Sequence, residues 1–290
     1  MFDNIFAAIE KWMRELLTGI VESNMSTMFT DVNEKTSEIA AQVGRTPQNW
    51  NSSVFSMIQN LSESVVVPIA GIIITLVLCY ELISMLTERN NLHDVDTWMF
   101  FKYFVKAWVA IYLVSNTFTI TMAVFDVGQS VVNSASGIIN GETAIDVSSL
   151  SMQMQAAMAT MEIGELVVLA LETFLVSFCM KIMSVVITVI VYGRMIEIYL
   201  YTSLAPIPFA TMSNREWGHV GTNYFRGLFA LAFQAFLMMV CVAIYAALIS
   251  SVRISSNMHS ALIGVAAYTV ILCFSLMKTG SLSKQIFGSH

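Results

Sequence analysis

Long apolar runs separated by short polar segments dominate the sequence. Taken in chain order, the five runs cover residues 65–86, 104–125, 166–192, 228–250 and 262–277. As a helix rising 1.5 Å per residue, the first run is about 33 Å long, enough to cross a hydrocarbon core about 30 Å thick. We therefore expect an all-α, polytopic membrane helical bundle with about five transmembrane helices.

The first twenty residues have the pattern of an amphipathic helix. Their apolar positions recur at spacings of three and four, and they are Phe2, Ile5, Phe6, Ile9, Trp12, Met13, Leu16, Leu17 and Ile20. Charged residues such as Glu10, Lys11 and Glu15 occupy the other face. A signal peptide needs an uninterrupted apolar core, which is missing here. A helix lying in the membrane interface fits this pattern, and a helix packed on a partner protein is the alternative.

The distribution of positive charge predicts the orientation. With the N-terminus outside, eight of the 14 Lys and Arg residues fall on the inner side and five on the outer side. The polar segment 126–162, which contains no Lys or Arg, then also lies outside. We expect an extracytoplasmic amphipathic region at 1–63, a transmembrane domain at 64–280 and a short cytoplasmic tail at 281–290.

Composition narrows the class of protein. Hydrophobic residues make up 56% of the chain and charged residues 12%, about half the usual charged share of about 25%. An ordinary soluble enzyme is therefore excluded, and the net charge of -6 argues against a protein that grips phosphate backbones. The four cysteines lie far apart in apolar stretches, and no hydrolase, phosphate-loop or zinc motif is present. We expect no catalytic residue, no cofactor and no metal site.

Three charged residues lie in or beside the third apolar run: Glu165, Glu172 and Lys181. Ionisable groups inside a membrane are costly and are often functional. Glu165 and Glu172 share a helix face, whereas Lys181 lies about 180° around the helix from Glu172. We therefore expect them to face other helices, other subunits or an aqueous cavity. Structural ion pairing is the favoured interpretation, and a proton or ion relay is the alternative.

Two prolines break the apolar stretch between the third and fourth runs, within the cytoplasmic-side segment 194–224. Pro206 and Pro208 each remove a backbone donor, and freed backbone groups cannot face lipid without partners. The stretch should therefore be a turn buried against neighbouring helices or set at the interface. Arg215 and Trp217, a few residues later, are typical of an interfacial anchor.

The start of the fourth run completes a short motif. Arg226 opens this run, and Gln234 lies inside it, where an interhelical hydrogen bond is worth about 1 kcal/mol. Together with A-P-I-P-F-A at 205–210 and R-E-W at 215–217, this stretch resembles the VirB6/TrbL family of conjugative type IV secretion systems, particularly its branch in Gram-positive mobile elements. The five-span architecture with an outside N-terminal tail supports the resemblance.

The resemblance implies a function that the composition does not. VirB6-like proteins are inner-membrane components of a DNA-transfer channel that assemble in several copies around the base of an extracytoplasmic stalk. Their expected partners are a VirB4-like ATPase, VirB3-like and VirB8-like proteins, stalk or surface proteins, and a transient single-stranded DNA–relaxase cargo. On this basis the proline turn, Arg215 and Trp217 would hold subunit contacts or the inner mouth. A small-molecule or ion transporter and a membrane scaffold are the alternatives.

Overall fold

The computed structural model describes residues 2–87, 97–139, 147–252 and 258–289 and contains no strand within these ranges. Its helices are α1 Phe2–Val43, α2 Pro47–Trp50, α3 Ser52–Leu61, α4 Val67–Thr87, α5 Thr97–Ser115, α6 Thr117–Ile139, α7 Val147–Met158, α8 Ile163–Ser203, α9 Pro206–Thr211, α10 Gly218–Ser250 and α11 Met258–Phe287. The prediction of an all-α protein is confirmed.

Five helices in the described ranges are long and apolar enough to cross a membrane. They are the continuous helix Ser52–Thr87, which contains α3 and α4, and then α5, α8, α10 and α11. The most apolar stretch of α10 is 56% buried, whereas that of α5 is 11% buried. The expected number of candidate spans is therefore confirmed within the described ranges, and α10 is the candidate span whose apolar stretch is most buried.

The first span begins earlier than its apolar run. α3 continues through a π-helical turn at Ser62–Val66 directly into α4. Ser62 in this turn is fully buried. Because Ser62, Glu63 and Ser64 are polar, the apolar pattern alone does not show that the helix starts at Ser52.

The second span ends where the sequence predicted its middle. The run 104–125 was expected to be one helix, but α5 ends at Ser115 and α6 begins at Thr117. The side-chain amide of Asn116 donates to the carbonyl of Tyr112 at 2.9 Å, and the Thr117 hydroxyl donates to that of Leu113 at 2.8 Å. Such side-chain bonds to the preceding turn bend helices. The prediction of a single helix is wrong, because the helix is interrupted at Asn116 while the apolar pattern continues.

The segment 126–162 is largely helical, although the sequence predicted a polar loop with helix only in its second half, at 149–161. α6 extends to Ile139, and α7 covers Val147–Met158. Residues 140–146 lie outside the described ranges, as do Arg89 and Arg253, two of the basic residues used to predict the orientation. The side of the membrane that this segment faces remains a prediction.

The chain divides into two compact units. The first, which we call the helix-1 unit, contains Met1–Val43, Ser134–Val191 and Met238–Lys278. The second, which we call the turn unit, contains Gly44–Asn133, Tyr192–Leu237 and Thr279–His290. Each is described by itself below.

Methionines fill much of the interior of the helix-1 unit. Met25 and Met28 of α1 and Met154 and Met158 of α7 are at most 2% exposed, and α1 packs on α7. The thioether side chain has three rotatable bonds, so it fills irregular gaps between helices. The second half of α1 is thus part of a packed core rather than a free tail.

Two apolar clusters hold the turn unit together. One joins α3, α6, α8 and α10 through residues that include Ile58, Phe118, Ile198 and Leu231. The other joins α4, α5 and α9 through Ala70, Ile74, Leu78, Ala110, Val114, Phe209 and Ala210. The small residues in the second cluster allow the helix backbones to approach closely.

We predict that Gly128→Ala destabilises the protein by about 1–3 kcal/mol, the usual cost of overpacking. A Cβ at Gly128 of α6 would lie 2.8 Å from the carbonyl oxygen of Ala232 on α10. The midpoint of thermal unfolding of the purified protein in detergent measures the effect. Gly71→Ala in α4 is the matched control, because its Cβ would meet nothing within 4 Å. Equal midpoints for the two variants would contradict the close approach of α6 and α10.

Candidate functional site

The proline pair forms a short helical turn after α8. Pro206 is the first residue of α9, where its missing N–H would have no helical partner in any case. The backbone N–H of Phe209 donates to the carbonyl of Ala205 at 3.3 Å, and the Thr211 hydroxyl donates to that of Pro208 at 2.8 Å. The chain therefore reverses from α8 toward α10 while its backbone groups keep partners.

This turn is buried against the first two spans. α9 packs on α4 and α5, and Pro206, Phe209 and Ala210 are buried. Pro208 is half-buried, and its carbonyl lies close to α10, since a Cβ at Gly221 would be 2.4 Å from that oxygen. The proline-broken stretch is thus a packed element of the turn unit, and its freed backbone groups do not face lipid.

The contact of Tyr80 with Glu216 and Trp217, which we call the aromatic clasp, joins α4 to the loop between α9 and α10. The rings of Tyr80 and Trp217 stack with centroids 5.7 Å apart, and the Tyr80 hydroxyl donates to the Glu216 carboxylate at 3.0 Å. The Asn214 side-chain oxygen accepts from the backbone N–H groups of Glu216 and Trp217, which shapes the loop between α9 and α10. Trp217 keeps 44% exposure, and Arg215 is exposed. An aromatic ring held partly exposed beside a free arginine suits a membrane–water interface.

A reciprocal tyrosine pair joins the end of α8 to the start of α10. The rings of Tyr201 and Tyr224 stack with centroids 4.4 Å apart. The Tyr201 hydroxyl donates to the carbonyl of Tyr224 at 3.2 Å, and the Tyr224 hydroxyl donates to that of Tyr201 at 2.7 Å. The sequence analysis missed this pair, because two tyrosines 23 residues apart carry no pairing signal.

Arg226 and Gln234, the two remaining motif residues, have different surroundings. Arg226 is exposed on α10. Gln234 is 6% exposed, and its Nε2 donates to the Thr279 hydroxyl of α11 at 3.4 Å. The bond joins two spans, which is the kind of contact that the sequence suggested for Gln234. Gln234 contacts α11 whereas Trp217 contacts α4, so the motif residues do not converge on one pocket.

A buried arginine, also missed from the sequence, adds a polar layer to the turn unit. Arg194 of α8 is 7% exposed and donates through a terminal nitrogen to the carbonyl of Leu231 on α10 at 3.3 Å. One helical turn further on, Glu197 pairs with Lys284 of α11 at 2.9 Å. An Arg and a Glu three residues apart near the end of an apolar run was the available signal.

The charged residues of the third run lie in the helix-1 unit and make separate contacts. Glu165 is exposed and accepts from the backbone N–H of Glu162 at 3.1 Å, which caps the start of α8. Glu172 contacts the Nδ1 of His259 on α11. Lys181 is exposed and makes no ion pair with any described residue. Glu172 and Lys181 therefore do not pair, as their spacing predicts, and the partner of Glu172 is a histidine that the sequence analysis did not identify.

The described part of the chain offers no group of three or more His, Cys, Asp or Glu side chains that could hold a metal ion. The features above are contacts between helices, and none of them encloses a reactive group. These contacts can hold neighbouring helices together, and the exposed Trp217 and Arg215 suit a membrane surface.

Comparison with known protein families assigns this chain to a family. Residues 32–206 match the family described as TrbL/VirB6 plasmid conjugal transfer like protein, which covers more than half of the chain. The match ends at Pro206, so the other five motif residues lie beyond it. No curated protein matches this chain. No solved structure matches it either.

We predict that Tyr224→Phe lowers the stability by about 1 kcal/mol, because it removes one hydrogen bond and leaves the Tyr201 carbonyl without its donor. The thermal unfolding midpoint in detergent measures this loss. Tyr112→Phe is the control, since Tyr112 is 55% exposed and its ring keeps its stacking on Trp108. A Tyr224→Phe midpoint no lower than that of the control would show that the hydroxyl pair contributes nothing.

Proposed function

Because the chain belongs to the TrbL/VirB6 plasmid conjugal transfer-like family, we propose that it is an integral membrane component of a conjugative type IV secretion channel. In this role it helps form the translocation path and the base of the extracytoplasmic stalk. The observation that carries the proposal is the family match over residues 32–206, in a multi-pass protein with five helices long and apolar enough to span.

The proposed role is structural rather than enzymatic. The chain would assemble in several copies in the bacterial cytoplasmic membrane, and a VirB4-like ATPase of the same machine would supply the energy. VirB3-like, VirB8-like and stalk or surface proteins are the proposed neighbours. Single-stranded DNA with its relaxase would pass transiently, since the net charge of -6 does not favour tight phosphate binding.

The aromatic clasp is the proposed contact surface on the inner side. Trp217 and Arg215 stand partly or fully exposed at the turn between α9 and α10, on a loop that Tyr80 and Asn214 fix in place. A fixed, exposed aromatic residue loses little conformational entropy when a neighbour covers it. We therefore assign the turn to subunit contacts or to the inner mouth of the channel.

We predict that an in-frame deletion of the gene abolishes plasmid transfer in a mating assay and that the intact gene supplied in trans restores it. The levels of the other membrane components are followed by immunoblot, so that a loss of transfer is not mistaken for collapse of the machine. Transfer at the wild-type frequency without this protein would contradict the proposal.

A point variant tests the clasp within the same assay. Trp217→Ala should lower transfer by removing the exposed ring and its stacking on Tyr80, while the protein still accumulates in membranes. Trp108→Ala is the control, because Trp108 is 68% exposed and stacks only on Tyr112 of its own helix. Equal transfer by the two variants would remove the clasp from the proposed contact surface.

We further propose that the N-terminus lies outside and the C-terminus in the cytoplasm. Single cysteines at Ser136 and Ser213 report this orientation in a variant whose four native cysteines are replaced. An impermeant maleimide should label position 136 in intact cells and position 213 only after permeabilisation. Labelling of 213 but not 136 in intact cells would reverse the orientation.

A further inference from the structure

Helix α1 runs alongside the third span within the helix-1 unit. Arg14 donates to the carbonyl of Met161, just before α8, at 2.8 Å. Further along, the Asn24 amide donates to the Thr173 hydroxyl at 3.4 Å, and Lys35 Nζ donates to the Thr188 hydroxyl at 3.2 Å. The contacts advance in the same order on both helices, so α1 is parallel to α8. They cover 21 residues of α1, about 32 Å of helix, comparable with a hydrocarbon core of about 30 Å.

At this depth the outer surface of α8 is apolar. Between Thr173 and Thr188 the helix carries a single charged residue, Lys181. The large apolar side chains that stand at least half exposed on this part of α8 are Val167, Val168, Leu171, Phe174, Leu175, Phe178, Val185 and Val189. An exposed face of this composition suits the acyl chains of lipid, although the exposed Lys181 interrupts it.

The outer surface of α1 at the same depth is polar. The exposed residues on this part of the helix are Ser23, Ser26, Thr27, Thr30, Glu34, Ser37 and Ala41. Its apolar residues, such as Met25, Met28 and Val32, are buried in the unit. A carboxylate such as that of Glu34 cannot face acyl chains without a large cost in free energy. The hydroxyl of Thr27 is less demanding, since it donates to the carbonyl of Ser23 at 2.8 Å. Two helices at one depth therefore present surfaces that suit different surroundings.

Charged side chains beside the contact between α1 and α8 keep part of their exposure. Lys35 pairs with Glu38, yet the two side chains remain 28% and 38% exposed. Charged groups that keep this much exposure at membrane depth need water beside them.

We propose that the polar face of α1, from Ser23 to Ala41, borders a water-filled path through the membrane while the outer face of α8 meets lipid. This inference deepens the proposed function, on which it rests for the identity of the cargo, by naming the surface of the chain that lines the path. The charged residues of α1 at this depth are Asp31, Glu34, Lys35 and Glu38, with a negative sum. Such a wall lets a phosphate backbone pass without holding it.

The inference also changes the expected topology of the N-terminal region. α1 enters the membrane on the side where α8 begins and leaves on the side where α8 ends. Residues 1–63 are then not wholly extracytoplasmic.

Cysteine accessibility in cells that carry the complete transfer machine tests the proposal. Single cysteines are placed at Ser26, Thr30 and Ser37 of α1 in a variant without the four native cysteines. Cells are treated with the charged reagent 2-sulfonatoethyl methanethiosulfonate, and the remaining thiols are counter-labelled after denaturation. We expect complete loss of counter-labelling at all three positions, because water reaches them.

Positions on α8 at about the same depth provide the control. They are Leu175, Ile182 and Val189, which are 54%, 44% and 64% exposed. These cysteines should keep full counter-labelling, because a charged reagent does not enter lipid. Protection of the α1 cysteines would overturn the proposal, since lipid or a second copy would then cover that face. Reaction at both sets would also overturn it, because the helix-1 unit would lie in water.

The readout does not depend on DNA transfer, so the two proposals can fail separately. One outcome is that the α1 cysteines react, the α8 cysteines do not, and deletion of the gene leaves mating unchanged. This result would support the water path and contradict the secretion role. If deletion abolishes mating and the α1 cysteines are protected, the secretion role stands and another surface lines the path.

Discussion

The requirement that polar groups in apolar surroundings find a partner determines most of this structure. The proline turn satisfies it with backbone bonds inside α9 and with burial against α4 and α5. Arg194 meets it in part, through one bond to a carbonyl of α10, while its buried Nε has no hydrogen-bond partner among the described residues. Glu172 meets it with His259 of α11. Each solution joins helices that are distant in sequence. The bundle is therefore specified by a few polar contacts as well as by apolar burial, which does not distinguish one helix neighbour from another in lipid.

The same requirement explains why the exposed surfaces differ. The helices α5 and α8 expose aromatic and aliphatic side chains, which acyl chains accept without cost. The outer face of α1 exposes hydroxyls and a carboxylate although the helix runs beside α8. A protein that conducts a polar cargo must present both kinds of surface at one depth. Membership of the TrbL/VirB6 family supports the proposed role, and this division of surfaces is compatible with it.

The sequence predicted those features that depend on run length and helical period. Five apolar runs gave five candidate spans, the proline pair gave a turn, and nine-residue spacing kept Glu172 and Lys181 apart. The sequence did not predict features that depend on particular side-chain contacts. The helix interruption at Asn116 lies inside an apolar run, so periodicity could not locate it. The tyrosine pair and the packing of α1 against α8 depend on contacts between residues far apart in sequence. The sequence placed residues 1–63 outside on the distribution of basic residues, and this placement stays a prediction.

The packing of α1 along α8 is the central claim, and cross-linking within assembled machines tests it directly. Cysteines at Asn24 and Thr173, whose side chains are in hydrogen-bond contact at 3.4 Å, are introduced together into the variant without native cysteines. The membranes come from cells shown to transfer DNA and are oxidised with copper phenanthroline. Our account predicts an intramolecular disulfide for this pair and none for Asn24 paired with Phe178, which points outward from α8. A transfer-competent protein that forms no Asn24–Thr173 cross-link would contradict it.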